Sequence, residues 1–292
     1  MSAAVSIDTG GSVPPARAAG AFPRARSRWW IEALALGWLL WVYDTITNLA
    51  PLRLHVAVAH AEGLLQVEQS LHLDPEQALD GWLAGRHTLG LILSDYYDNA
   101  HFVVTLGLLG WLWWRRADIY RPLRNSLVLV NLLAFLVFWL YPVAPPRMLG
   151  GFIDIVDSSH AFGSWHSGML ASHADELAAM PSLHIAWAVW CALAMWRMSA
   201  RRWMRGLAVF YPCTTAFAVL ATGNHFVLDI AGGLLVMAAS VMLVEAVERR
   251  RALRRQAAPA GIVLSPRAAP KKPLRPAYRM SQTCYEVGER IE

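Results

Sequence analysis

A chain of 292 residues, 56% hydrophobic and only 16% charged, with a mean hydropathy of +0.34, lies outside the composition of soluble globular domains and points to a polytopic membrane protein. The formal net charge of +5 and pI of about 9.4 come from the two tails and a set of short loops; positive-inside topology accounts for them, and no nucleic-acid partner is expected. Of three cysteines, Cys191 and Cys213 fall in apolar runs and Cys284 in the polar tail, so no disulfide framework is implied.

In chain order, residues 1–28 are rich in Ala, Pro, Ser and Arg without apolar periodicity and read as a disordered basic tail. Apolar runs at about 29–50, 98–114, 125–142, 183–197, 207–222 and 226–247 predict six membrane helices, some shorter than an untilted crossing prefers. The expected fold class is therefore all-α: a six-helix membrane bundle occupying 29–250, with an interfacial amphipathic segment. Trp29 and Trp30 anchor the first run; its length and the late polar residues Asp44 and Asn48 mark a retained span, not a cleaved signal. Between the first two runs, residues 55–90 carry Leu64, Leu65, Val67 and Leu71 at helical spacing with Glu62, Glu68 and His72 between them. One or two amphipathic helices lying in the interface fit that pattern. The segment from Val143 to Met180 is the longest outer loop and holds Asp154, Asp157, His160, His166, His173, Asp175 and Glu176; a loop of that length is expected to act as a lid. Residues 251–292 form a second basic, Pro/Ala-rich tail.

Arginine clusters orient the spans. Arg24, Arg26 and Arg28, then Arg115, Arg116, Arg121 and Arg124, then Arg201, Arg202 and Arg205, then Arg249, Arg250, Arg251, Arg254 and Arg255 all fall on one side of six crossings. Both termini are expected to be cytoplasmic, in what the Arg- and Ala-rich composition suggests is a bacterial plasma membrane. The same topology puts Arg147, His184, His225 and Asp229 together at the extracytoplasmic face.

Those four residues carry the chemistry. His225 and Asp229 are four apart, hence on one helix face, where a carboxylate can orient and charge-stabilise an imidazole. His184 follows Pro181-Ser182-Leu183 at the mouth of another span and can supply a proton; that helix start also offers backbone N–H groups, and Ser182 a hydroxyl, to an anion. Tyr141-Pro142-Val143-Ala144-Pro145-Pro146-Arg147 ends the third span on stiff backbone with a guanidinium suited to phosphate oxygens. Taken singly each feature has a bland alternative: a snorkelling arginine, an ordinary helix start, a structural His–Asp pair. A zinc site of His184, His225 and Asp229 is a further alternative, against which stand the absence of an HExxH helix or nearby thiolate and the repulsion from Arg147. His101, after Tyr96, Tyr97, Asp98 and Asn99, is a weaker candidate for a headgroup contact.

Ala144-Pro145-Pro146-Arg147, Ala179-Met180-Pro181-Ser182-Leu183-His184 and Gly223-Asn224-His225-Phe226-Val227-Leu228-Asp229 together resemble the motifs of the type 2 phosphatidic acid phosphatase (PAP2) superfamily, over about residues 95–247. Within it the pattern is most similar to the branch typified by inositol phosphorylceramide synthase. The resemblance implies metal-independent phosphotransfer without a cofactor: His225 as nucleophile forming a phosphohistidine, Asp229 as its orienter, His184 as general acid, and Arg147 with Ser182 holding phosphate. Two basic residues usual in the phosphatases are missing, since Arg147 is followed by Met148 and Ala221-Thr222-Gly223-Asn224 holds no arginine; Asn224, Thr222 or backbone donors are expected to replace them. The expected activity is transfer of a phospho headgroup, inositol-phosphate-like, from a phospholipid to a hydroxyl acceptor such as inositol or another polyol. A hydrolase acting on phosphatidate or a polyprenyl pyrophosphate is the alternative, and a catalytically silent membrane binding protein a third.

Overall fold

The computed structural model describes residues 28–49, 53–155 and 177–257. Among them are eight α-helices and no strand: α1 (Trp29–Leu49), α2 (Leu54–Ser70), α3 (Pro75–Ala84), α4 (His87–Arg115), α5 (Ala117–Leu140), α6 (Leu183–Met198), α7 (Arg202–Ala221) and α8 (Val227–Ala257). The chain divides into Met1–Arg249 and Arg250–Glu292; of the second, the described residues are the last, arginine-bearing turns of α8. Residues 1–27 and 258–292 of the two tails, and the loop residues Asp157, His160, His166, His173, Asp175 and Glu176, lie outside the described residues, while 251–257, expected in the second tail, continue α8.

Three helices, α5, α7 and α8, are long and apolar enough to cross a membrane. Their outer faces present Leu136, Trp139 and Leu140, Val209 and Phe210, and Leu235, Met242 and Leu243, large exposed apolar side chains of the kind a bilayer covers. The other expected spans coincide with α1, α4 and α6, which fall short of that standard. α6 has 16 residues, while α1 and α4 are diluted by tryptophans and by Glu32 and Asp44, or by Asp95, Asp98, Asn99 and His101.

Several boundaries depart from the sequence pattern. α4 starts at His87, well before the apolar run at 98, and its first turns pack on α3: Leu89 and Leu93 join Leu83 in one cluster with Ala218 and Ala221 of α7. The 55–90 segment is thus α2, α3 and the beginning of α4. Pro75 at the first position of α3, where no N–H is needed, and Asp74 before it explain that helix's start. α5 likewise begins at Ala117 and carries Pro122.

The main core joins α4, α5, α6 and α8 around Trp190, which is fully buried and donates its Nε1–H to the Leu123 carbonyl at 2.8 Å. A second cluster packs Ala57, Ala61 and Leu64 of α2 under Val143, Ala144, Leu177, Ala179 and Phe226, so α2 supports the loops that carry the motifs. Those loops cluster at the C-terminal ends of α5 and α7 and the N-terminal ends of α6 and α8. Arg116, Arg201 and Arg202 mark the opposite ends of α5, α6 and α7.

Candidate active site

Backbone hydrogen bonds bring the three motifs together. Arg147 donates its N–H to the Gly223 carbonyl at 2.8 Å, Ser182 to the Asp229 carbonyl at 3.0 Å and Ala179 to Val143 at 3.2 Å, while Ala144 donates to Ala57 of α2 at 3.1 Å. Gly223 adopts a positive φ of 63°, and a Cβ there would crowd Asp80 and Arg147, so the turn into Asn224 and His225 is one that glycine suits. At the next seam the absence of a side chain on Gly233 lets α8 lie directly on the Ser182 carbonyl.

Asp229, His225 and His184 form a line. The Asp229 Oδ2 accepts from the His225 ring Nδ1 at 3.3 Å and from the Phe226 N–H at 2.9 Å, and Asp229 is fully buried. With its proton directed to the carboxylate, His225 turns the Nε2 lone pair outward, and that atom meets His184 Nδ1 at 3.3 Å. The ring nitrogens of two histidines therefore stand side by side at the mouth of the site. His184 is held by α4: Tyr97 stacks on its ring with centroids 4.3 Å apart, and His101 meets its edge at 4.3 Å. His101 in turn is fixed through its Nδ1 on the Tyr97 carbonyl at 3.0 Å.

Arg147 leans over the same end of the molecule. Its guanidinium donates to Asn224 Oδ1 and pairs through Nε with Asp154 Oδ2 at 3.3 Å. Asn224 is locked from the other side, its amide donating to Thr222 Oγ1 at 2.8 Å. Ser182 sits elsewhere in the assembly: it is fully buried, and its Oγ accepts the Ile185 N–H at 3.4 Å as the N-cap of α6. Its evident role is to start the helix that presents His184. Asp154, which the sequence places in the long outer loop, is the partner of Arg147.

In front of this group lies a cavity of about 570 Å³ bordered by Tyr97, His101, Arg147, His184, Asn224 and His225. It shares His101, Phe102, Leu183 and His184 with an apolar cleft of about 260 Å³ that continues between α1, α4, α5 and α6 as far as Glu32 and Arg124, an ion pair at 3.6 Å. Among the described residues no group of three or more His, Cys, Asp or Glu side chains is arranged to hold a metal ion.

The sequence reading did not single out Tyr97 or Gly233 and treated Glu68 as part of a polar face, while Thr222, expected as a stand-in phosphate donor, accepts from the Asn224 amide. Tyr97 and His101 did carry a signal, since residues four apart share one helix face. Glu68 is buried, and its Oε1 accepts the Leu228 N–H at 2.6 Å. On α3, Asp80 Oδ2 accepts from the Ile153 N–H at 2.8 Å, and burial pushes the Asp80 carboxyl above its ordinary range.

No curated protein and no solved structure matches the chain. The family model described as the PAP2 superfamily matches residues 62–243, a stretch that runs from α2 into α8 and contains Arg147, His184, His225 and Asp229. The chain belongs to the PAP2 superfamily.

Proposed function

We propose that the protein is an integral membrane phosphotransferase that moves a phospho headgroup of the inositol-phosphate kind from a lipid donor to a hydroxyl acceptor through a phosphohistidine on His225. Superfamily members are generally phosphatases or phosphotransferases acting on lipid phosphates, which fits both halves of the reaction. The observation that carries the reading is the Asp229–His225–His184 line opening beside Arg147 into a cavity continuous with an apolar cleft. A phosphate held by Arg147 and Asn224 would have its lipid portion lie along the cleft.

His225 Nε2 attacks phosphorus while Asp229 stabilises the imidazolium that forms. The bond from phosphorus to the lipid oxygen breaks, and His184 gives that oxygen a proton. In the second half the acceptor hydroxyl attacks the phosphohistidine, returns its proton to His184 and frees His225. An in-line phosphoryl group needs about 6 Å between the two ring nitrogens: roughly 3 Å for attack, about 1.6 Å for the P–O bond and roughly 2.7 Å for the hydrogen bond to the leaving oxygen, with the path bent at that oxygen. Donor binding therefore separates the two ring nitrogens now 3.3 Å apart, His184 turning against Tyr97 and His101. Arg147 supplies the cationic charge, so no metal enters the reaction, and Asp154 gives way as phosphate takes its place on the guanidinium.

We place six spans in the membrane, α1, α4, α5, α6, α7 and α8, with both termini cytoplasmic and the site outside, because the arginine-rich ends of α5, α6 and α7 lie opposite the motif loops. The test is turnover of a panel of labelled lipid donors, phosphatidylinositol, phosphatidate and a polyprenyl pyrophosphate among them, by purified protein in liposomes with and without inositol and other polyols. A phosphorylated polyol or new phospholipid that forms only with an acceptor supports the transferase. Acceptor-independent release of phosphate makes the protein a lipid phosphatase, and absence of both products overturns the enzymatic reading.

A further inference from the structure

Behind the His225–Asp229 pair, on the side away from the cavity, two acidic side chains meet. Glu68 near the end of α2 and Glu76 in the first turn of α3 are both fully buried. One Glu68 oxygen takes the Leu228 N–H in the first turn of α8 at 2.6 Å; neither the other Glu68 oxygen nor either Glu76 oxygen has a nitrogen or hydroxyl partner among the described residues. What the Glu68 carboxyl does face is the Glu76 carboxyl, within hydrogen-bonding reach. Two carboxylates in such surroundings cannot both be ionised, so a proton is held between them. The other charged groups facing them are Asp74, just before α3, and Asp229 on α8, with His225 beyond it and Arg147 bonded to Asn224 in the same loop.

We propose that the Glu68–Glu76 pair is a positioning element for the reaction: sharing a proton, it holds the Leu228 N–H from behind and so fixes the turn that sets Asp229 and His225 in place. The inference rests on the reading of His225 as the reacting group. The bond from Glu68 reaches the residue directly before Asp229, and Asp229 itself accepts the Phe226 N–H, so the entire Phe226–Asp229 turn is gripped from two sides. Without the proton, two negative charges would press on each other and on Asp229. Burial and the neighbouring acids push the Glu68 carboxyl up to about 9, so the proton stays in place at neutral pH and leaves in the alkaline range.

Glu68→Gln separates the two parts of the idea, because its amide oxygen still accepts the Leu228 N–H and its amide nitrogen donates to Glu76 with no proton to lose. The readout is modification of His225 by diethyl pyrocarbonate on the full-length protein in liposomes, followed by mass spectrometry between about pH 6 and about pH 10, alongside turnover of the best lipid donor. In the wild type the His225 rate shows an inflection near 9 in addition to the titration of the ring itself. Glu68→Gln keeps the neutral-pH rate within about twofold and lacks that inflection. Glu68→Ala speeds His225 modification more than about fivefold and lowers kcat about tenfold with KM within about twofold, because the site loosens without losing a substrate contact. Wild-type His225 reactivity in Glu68→Ala, or a persisting inflection near pH 9 in Glu68→Gln, overturns the proposal. If Glu68→Ala does not fold, the pH profile of Glu68→Gln alone decides. Should the wild type turn over no phosphate ester, the functional reading fails, and the modification rates still decide the positioning role.

Discussion

Replacing Gly233 by alanine tests the seam on which the site depends. The added Cβ would stand 2.4 Å from the backbone carbonyl oxygen of Ser182 and 3.4 Å from the Ile185 Cβ. A main-chain carbonyl at the start of a helix has no rotamer to escape into, so α8 and the Ser182 turn must part by about 1 Å to restore ordinary contact. The Ser182–Asp229 backbone bond at 3.0 Å and the His184–His225 contact at 3.3 Å cross that seam, and an opening of this size stretches both beyond hydrogen-bonding range. Overpacking of this kind costs about 1–3 kcal/mol, and a reacting geometry displaced by about 1 Å loses on the order of 100-fold in rate. The assay is kcat/KM on the best lipid donor together with Tm in the same detergent. Gly63→Ala is the control: it lies on the exposed face of α2, its Cβ meets nothing within 4 Å, and it should leave turnover unchanged while adding about 0.5–1 kcal/mol of stability. Wild-type turnover and Tm in Gly233→Ala would refute the close-approach argument.

Further outcomes are expected. His225→Ala abolishes turnover, and Asp229→Asn lowers kcat by about 100-fold or more by releasing the Nδ1 proton from its carboxylate; an acid-labile phosphoryl group at His225, sought by rapid quench and mass spectrometry, should appear in the wild type alone. His184→Ala slows donors with poor leaving groups far more than activated aryl phosphates, and equal loss for both would count against its role as the acid. Because the Glu68 carboxyl is raised from an ordinary 4.5 to about 9, the stability linked to it is full below pH 4.5 and is lost as pH rises through about 9; a Tm-versus-pH series should fall across that window, and Glu68→Gln should flatten it. Chelator should leave turnover intact, whereas loss restored by zinc would establish a metal site at His184, His225 and Asp229.

The parts of the site legible in the sequence are those whose chemistry depends on local spacing. His225 and Asp229 meet at the spacing the sequence shows, although α8 begins only at Val227: His225 lies in the turn before the helix, and Asp229 in its first turn reaches back to the ring and to the Phe226 N–H. Ser182 before an apolar run marks a helix start without any knowledge of the fold. Glu68 shows where such reading stops. The buried face of α2 is Ala57, Ala61, Leu64 and Glu68, a regular helical stripe whose last member is a carboxyl, and composition alone assigned that member to water. Its burial is set by Leu228, distant in sequence. Gly233 was silent for the same reason: the close approach that calls for glycine belongs to two helices at once. The early start of α4 was hidden because Ser94, Asp95, Asp98 and Asn99 part Leu89, Leu91, Ile92 and Leu93 from the apolar run beyond, and because the packing of those first turns on α3 joins elements that the sequence does not show together. Glu32 of α1 and Asp98 of α4, which lower the apolarity of those helices, line the cleft and the cavity.

The joints between Arg147 and Gly223, Ser182 and Asp229, and Ala179 and Val143 are all made main chain to main chain. Gly223 apart, whose turn calls for glycine, such joints do not depend on which side chain a position carries. The frame that sets the distances of the site can therefore persist while the groups mounted on it are exchanged, and a lineage can try new phosphate-holding residues without first rebuilding the scaffold. For the experimenter this means that a change of the Arg147 side chain leaves in place the main-chain bond to Gly223 that holds its loop.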